Sequence, residues 1–178
     1  MQNIFHNQDD YAIVDPEWIE RLKRVALQSP LRRSRLCLHR SEDDTLHEMI
    51  IALARDCLFQ PHCHPIKSES FHMIAGRLVI VIFKEDGTPS RSLLLSPPGQ
   101  GGVICYRLCI PAFHAVLPID DVVVFHETTN GPFVKNEAIL AEWSPKSPDE
   151  LRSFLVKSAL AGTLPAEIRQ QILSGDKA

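Results

Sequence analysis

Two histidines and a glutamate in one short segment have the types and spacing of a metal site. His62 and His64 are separated by one residue, and Glu69 follows after four more. In a strand, side chains at i and i+2 leave the same face about 7 Å apart along the backbone, so both rings can converge on one ion. Two imidazoles and a carboxylate with open positions form the set that non-haem iron oxygenases use, and the set also suits manganese, cobalt, nickel or zinc. The sequence therefore predicts one divalent transition metal per chain.

A fourth ligand is expected from further along the chain. His114 is the best candidate, because the turn at 111–113 delivers it to the start of a new strand. If residues 69–75 form a strand, Glu69 shares a face with Phe71, Met73 and Ala75, while His72 lies on the opposite face. We therefore expect His114 to join the ligand set and His72 to stay outside it.

Other side chains could serve a bound substrate. Lys67 lies in the loop before the glutamate and could meet a phosphate or carboxylate, or it could be a solvated loop lysine. His126 and Glu127 are adjacent in a predicted strand, so only one of them can point inward, and either could act as a general acid or base or orient a ligating imidazole. The basic segment 32–35 is interpreted as a solvated strand edge or interface, with anion binding as the alternative.

The surrounding pattern predicts the elements that position these residues. A capping aspartate and a proline begin a helix over about 16–27, and from 46 to 125 short apolar runs alternate with turn residues. The run 78–83 is rich in β-branched residues. Capping signals at 147–150 and 164–167 predict further helices after the strands. The pattern indicates an all-β sandwich or small barrel with helices confined to the ends.

Composition excludes several classes of protein. The 178 residues are 44% hydrophobic and 23% charged, which is typical of one globular domain rather than a disordered chain. The net charge of -3 provides no positive field for nucleic acid or an anionic membrane. No apolar run approaches the roughly 20 residues of a spanning helix, and the polar N-terminus does not resemble a signal peptide. We expect a cytoplasmic protein without a membrane or nucleic-acid partner, and its five cysteines fit reduced thiols.

Residues 62–76 match the first cupin motif, which has two histidines separated by one residue, four residues, a glutamate, six residues and a glycine. The second cupin motif is met only in part at 110–114. There the proline lies nearer the histidine, no glycine stands between them and no asparagine follows. The first motif resembles that of cupins at every fixed position, and the second supports His114 less strongly.

A resemblance to the WbuC family of cupin-fold metalloproteins extends over roughly 16–145. It rests on the segments 29–30, 32–39, 48–50, 67–70, 113–116 and 124–133. The resemblance implies a mainly β fold, a cupin-type double-stranded β-helix or jelly-roll barrel, with a metal in the barrel mouth. It also implies an association with bacterial surface-polysaccharide genes. We divide the chain into an N-terminal helix and lead-in strand (1–40), the cupin barrel (41–145) and a C-terminal helical extension (146–178).

Three functions follow as hypotheses. The first is a metal-dependent enzyme, such as an isomerase or epimerase, acting on a sugar or nucleotide-sugar by proton transfer next to a carbonyl. The second is a non-haem iron dioxygenase, and the third is a non-catalytic module that binds or senses a small ligand. We also predict a homodimer, because barrels with apolar edge strands commonly pair and Trp18 of the first helix offers a contact surface.

Overall fold

Two β-sheets face one another in the computed structural model, which describes residues 2–135 and 137–175. The first sheet has six strands in the order β1-β2-β3-β10-β5-β8. Their bounds are β1 Ile4–His6, β2 Arg33–Cys37, β3 Leu46–Ala54, β10 Val122–Asn130, β5 Glu69–Ala75 and β8 Cys105–Leu108. The second sheet has the order β11-β4-β9-β6-β7. Its bounds are β11 Ile139–Leu140, β4 His62–Cys63, β9 His114–Pro118, β6 Leu78–Phe83 and β7 Pro89–Leu95. All neighbouring pairs are antiparallel except β1 with β2.

Helices cover both outer faces of this double sheet. The first helix, α1 (Pro16–Gln28), packs Leu22 and Ala26 on the six-stranded sheet. The last two, α2 (Pro148–Ala161) and α3 (Ala166–Gly175), cover the five-stranded sheet. A third apolar cluster fills the space between the sheets. The mainly β jelly-roll barrel with terminal helices that the sequence predicted is confirmed.

The layering explains the two kinds of strand pattern. Along β6 every second residue, such as Val79 and Val81, packs under the C-terminal helices, and the others, such as Ile80, fill the space between the sheets. Both faces of β6 are buried, so its sequence shows no polar alternation. On β5, Phe71 and Met73 face inward while His72 and Ile74 lie exposed on the outer face.

The helix starts follow their capping signals. The Asp15 carboxylate accepts a hydrogen bond from the Trp18 backbone N–H at 2.9 Å. At α2, the Ser147 hydroxyl accepts from the Glu150 backbone N–H at 3.3 Å and donates to the Glu150 carboxylate at 2.9 Å. These contacts satisfy backbone donors that a helix end otherwise leaves free.

Some elements differ from the sequence prediction. β10 continues to Asn130 instead of ending near Phe125, because β3 and β5 pair with it on both sides. The short strands β1 and β11 were not predicted.

Trp18, suggested as a dimer contact, packs edge-on against Phe5 of the same chain with ring centroids 5.6 Å apart. Within the described residues, none of the helices has the length and apolar character needed to cross a membrane.

The glycine that ends the first cupin motif is required by a close backbone approach. Gly76 has φ +71°, and a Cβ there would lie 2.8 Å from the Val122 carbonyl oxygen. Gly99 has a similar φ of +82°, but nothing lies within 4 Å of its Cβ position.

We predict that Gly76→Ala destabilises the protein more than Gly99→Ala does. Both substitutions strain a left-handed backbone at a cost of about 1–3 kcal/mol, and only the first also forces β5 and β10 apart. Urea denaturation of both variants measures the difference in the free energy of unfolding. Equal losses would show that the close approach at Gly76 is unimportant.

Candidate metal centre

The two histidines of the first motif project from β4 into the barrel. β4 is short because Pro61 precedes His62 and Pro65 follows His64, and a proline cannot donate to a strand ladder. Alternation sends both imidazoles to the same side and buries Cys63 on the other. His114, the first residue of β9, is the direct cross-strand partner of His62. The sequence prediction that these three histidines meet agrees with this geometry, in which their ligand atoms all lie within 4.8 Å of one another.

Glu69 reaches the three histidines from the opposite sheet. It is the first residue of β5, and it is 5% exposed. One carboxylate oxygen, Oε1, lies 2.8 Å from His114 Nε2, and the other, Oε2, lies 3.6 Å from His64 Nε2. The four predicted ligands are therefore brought together from both sheets.

Backbone hydrogen bonds orient two of the rings. The Nδ1–H of His62 donates to the Gln60 carbonyl at 3.0 Å, and the Nδ1–H of His114 donates to the Ala112 carbonyl at 3.0 Å. Each bond fixes the tautomer in which Nε2 carries the free lone pair. The lone pairs are thus available to a metal ion.

The donor set fits a divalent transition metal. His114 Nε2 and Glu69 Oε1 are both buried, and neither has a well-formed hydrogen bond despite their short separation. Buried polar atoms without partners are costly and are rare in folded proteins. Three imidazole nitrogens and one carboxylate oxygen are ligands that iron, manganese, cobalt, nickel and zinc accept. His62, His64, His114 and Glu69 could hold such an ion, which would satisfy both atoms.

Burial and mutual contacts shift the pKa values of the four candidate ligands, and for His62, His64 and Glu69 the shift favours the form that binds a metal. Burial, followed by the neighbouring His114, lowers the pKa of His62 to about 4. Burial also lowers the pKa of His64. Burial alone would raise the pKa of Glu69, but contact with His114 and the nearby imidazoles outweighs it and lowers that pKa. For His114 burial opposes protonation, yet the Glu69 carboxylate raises its pKa.

The structure decides between the two adjacent residues of β10. Glu127 points between the sheets and lines the same cavity as the ligands. His126 lies on the outer face, where its Nε2 is 3.4 Å from a Glu48 carboxylate oxygen and it borders a surface depression with His72. Burial, followed by the charge of Glu69, raises the pKa of Glu127 to about 8.

A cavity of about 290 Å³ connects these groups. Besides the four ligands and Glu127, it is lined by aromatic side chains such as Phe59 and by Arg33 and Arg35. The basic segment is visible in the sequence, but neither arginine was predicted to belong to the site. Their i, i+2 spacing on a strand was the signal, because it places both side chains on one face.

Lys67 has a different environment from the one expected for a substrate contact. Its ammonium lies 2.7 Å from a Glu137 carboxylate oxygen and donates to the Pro132 carbonyl at 2.8 Å. It is not among the residues that line the cavity. An anion would have to displace Glu137 to reach it, so its substrate role stays a prediction without support from this geometry.

Sequence comparisons match only part of the chain to a known family. A family model described as a domain of unknown function (DUF6016) matches residues 14–95. The comparison with curated protein sequences gave no significant match. The matched segment includes the first three candidate ligands and ends before His114.

Comparisons of the fold find similar solved structures at low sequence identity. A protein of Shewanella oneidensis, SO0799, aligns with a TM-score of 0.51 and 12% identity over 78% of this chain and 84% of that one. CapF, crystallised with the inhibitor 3-isopropenyl-tropolone, aligns with a TM-score of 0.51 and 16% identity over 64% of this chain but only 33% of CapF. A sugar phosphate isomerase of the cupin superfamily from Silicibacter pomeroyi aligns with a TM-score of 0.43 and 18% identity, over 62% of this chain and 64% of that one. At these identities the likeness concerns the fold alone.

We predict that His114→Ala lowers metal content well below that of the wild type, because it removes the most buried donor of the set. Elemental analysis of protein purified without chelator and reconstituted with manganese, iron, cobalt, nickel or zinc measures the effect. His72→Ala is the matched control, since His72 lies on the outer face of β5 and should not change metal content. Equal metal content in both variants would contradict the assignment.

We also predict that Glu127 makes the metal-free protein less stable as pH rises. Its pKa is raised from 4.5 to about 8 in the folded state, so folding binds a proton between these values and the free energy of unfolding falls across that window. In Glu127→Gln this fall should be smaller. Urea denaturation at about four pH values between roughly 5 and 9, which span the titration of Glu127, measures the free energy of unfolding and tests the prediction.

The exposed Glu142 provides the control for that experiment. Glu142→Gln should keep the pH dependence of the wild type. A Glu127→Gln protein whose pH dependence also matches the wild type would show that Glu127 titrates normally.

Proposed function

We propose that this protein is a metal-dependent enzyme that moves a proton next to a carbonyl group of a small sugar-type substrate. The observation on which this rests is the placement of Glu127. It shares a small cavity with four candidate metal ligands and is held in a protonated state near neutral pH. A metal bound there would act as a Lewis acid on a carbonyl or hydroxyl oxygen of the substrate. An isomerase or epimerase is the reaction class that this combination favours.

Glu127 is suited to acid–base catalysis by its position. β10 is paired on both sides, so the backbone that presents Glu127 is held rigidly at the centre of the sheet. A catalytic acid or base works best when its pKa lies near the working pH, and the raised pKa of Glu127 meets that condition. The carboxyl group can hold a proton when substrate enters and exchange it with a substrate carbon or oxygen.

The size of the cavity limits the substrate. About 290 Å³ is at the low end of small-molecule sites, which enclose roughly 300–1,000 Å³. A monosaccharide unit fits within such a volume, whereas the nucleotide part of a nucleotide-sugar would extend out of the barrel mouth. The WbuC resemblance favours a role in bacterial surface-polysaccharide metabolism, and the proposed substrate class agrees with it.

An iron dioxygenase is the second candidate. His62, His64 and Glu69 contain the two-histidine, one-carboxylate set of that class, and the same cavity could admit oxygen. The presence of His114 leaves fewer open positions on the metal than three protein ligands would. This reading predicts iron-dependent oxygen uptake instead of proton exchange.

We predict that metal-loaded protein catalyses the exchange of substrate C–H hydrogen with deuterated water, and that Glu127→Gln slows this exchange about 100-fold or more while metal content is kept. A panel of sugars and sugar phosphates incubated in deuterated water and followed by NMR measures the rate. His126→Gln alters the adjacent residue on the outer face of β10 and should leave the rate unchanged.

The outcomes separate the candidate functions. Undiminished exchange in Glu127→Gln would remove Glu127 from the mechanism. Oxygen consumption with iron, without exchange on any substrate, would favour the dioxygenase. Ligand binding without either reaction would favour a binding or sensing module.

A further inference from the structure

Two arginines form one wall of the cavity that contains the candidate metal ligands. Arg33 and Arg35 alternate on β2, so both side chains leave the strand on the face that looks between the sheets. Their partners on β3 are Leu53 and Ile51, which are apolar. The two guanidinium groups therefore supply the positive charge of this wall.

Neither arginine is neutralised by the protein. Within residues 2–135 and 137–175, no acidic side chain forms an ion pair with Arg33 or Arg35. The Nε of Arg35 is buried and has no hydrogen-bond partner. The guanidinium of Arg33 lies over the Phe59 ring, 4.8 Å from its centroid, which leaves its N–H edge free.

Two other arginines of the chain show the contrast. Arg32 pairs with Asp56 at 2.7 Å, and Arg77 pairs with Asp120. Both of these arginines lie outside the cavity lining. A partly buried guanidinium without a counter-charge is costly, so its persistence in a cavity wall indicates a ligand that provides the missing charge.

We propose that Arg33 and Arg35 bind a phosphoryl group of the substrate, whose other end lies at the candidate metal ligands. Only the position of the substrate's other end at the candidate metal ligands rests on the proposed function; the binding of a phosphoryl group by the two arginines does not. Two guanidinium groups match the charge of a phosphate dianion, and their planar N–H edges match its oxygens. A carboxylate would leave one of the two positive charges unpaired.

The charge on Glu127 is consistent with this ligand. Glu127 interacts electrostatically with Arg35 and could compete with an anionic ligand for it. The pKa of Glu127 is raised to about 8, however, so its carboxyl group is largely neutral at pH 7. The remaining carboxylate of the cavity, Glu69, is in contact with His64 and His114. The arginines therefore remain available to an incoming anion.

Titration calorimetry with inorganic phosphate and with acetate tests the inference on chelator-treated, metal-free protein. Without metal, phosphate cannot bind by coordination to an ion. We expect saturable phosphate binding by the wild type, weaker binding of acetate, and a loss of at least about tenfold in phosphate affinity in Arg33→Gln and in Arg35→Gln. Arg35→Lys keeps the charge but loses the planar fork, so its affinity should be intermediate.

Arg24→Gln is the matched control. Arg24 is exposed on α1, and its substitution removes the same charge without touching the cavity. It should bind phosphate as the wild type does. Circular dichroism checks that each variant is folded, and Arg35→Lys provides the test if a glutamine variant is not.

Three results would overturn the phosphoryl site. They are the absence of saturable phosphate binding in the wild type, an equal loss of affinity in Arg24→Gln, and acetate binding as tight as phosphate binding. Failure of the proposed function gives a different result, because phosphate would still bind to Arg33 and Arg35 while no metal-dependent proton exchange occurred.

Discussion

The candidate site depends on holding two sheets at one fixed separation. His62 and His114 are cross-strand partners within one sheet, while Glu69 begins a strand of the other. The 2.8 Å approach of Glu69 to His114 spans the gap between the sheets. Apolar packing between the sheets and helices on both outer faces fix that gap, and so the position of every ligand. A change in sheet spacing of even about 1 Å would separate donors that must lie at about 2.0–2.3 Å from one ion.

The first cupin motif was predictable because its spacing is also strand geometry. One residue between His62 and His64 places both on one face of an extended segment, and Gly76 is required by a left-handed turn at a close backbone approach. The helix starts at Asp15 and Ser147 were equally local, since each capping contact lies within three residues. Local chemistry of this kind is written in short segments of the chain.

Information that depends on distant pairing was not available from the sequence. The choice between His126 and Glu127 depends on the register of β10 with β3 and β5. The partner of Lys67 is Glu137, far along the chain, and no periodic pattern links the two. Arg33 and Arg35 were visible as charges, but only the position of β2 in the sheet shows that they face the cavity.

The charged groups of the cavity lie on different walls. The anionic Glu69 lies with the histidines, of which His62 and His64 have pKa values lowered by burial, and the positive charge of the arginines lies on another wall. Glu127 can hold or release a proton because its pKa lies near neutrality. The most direct test of the central claim is anomalous diffraction from crystals of metal-loaded protein at the absorption edge of the metal. The account predicts one strong peak about 2.0–2.3 Å from His62, His64, His114 and Glu69. A peak elsewhere, or none at these four residues, would contradict it.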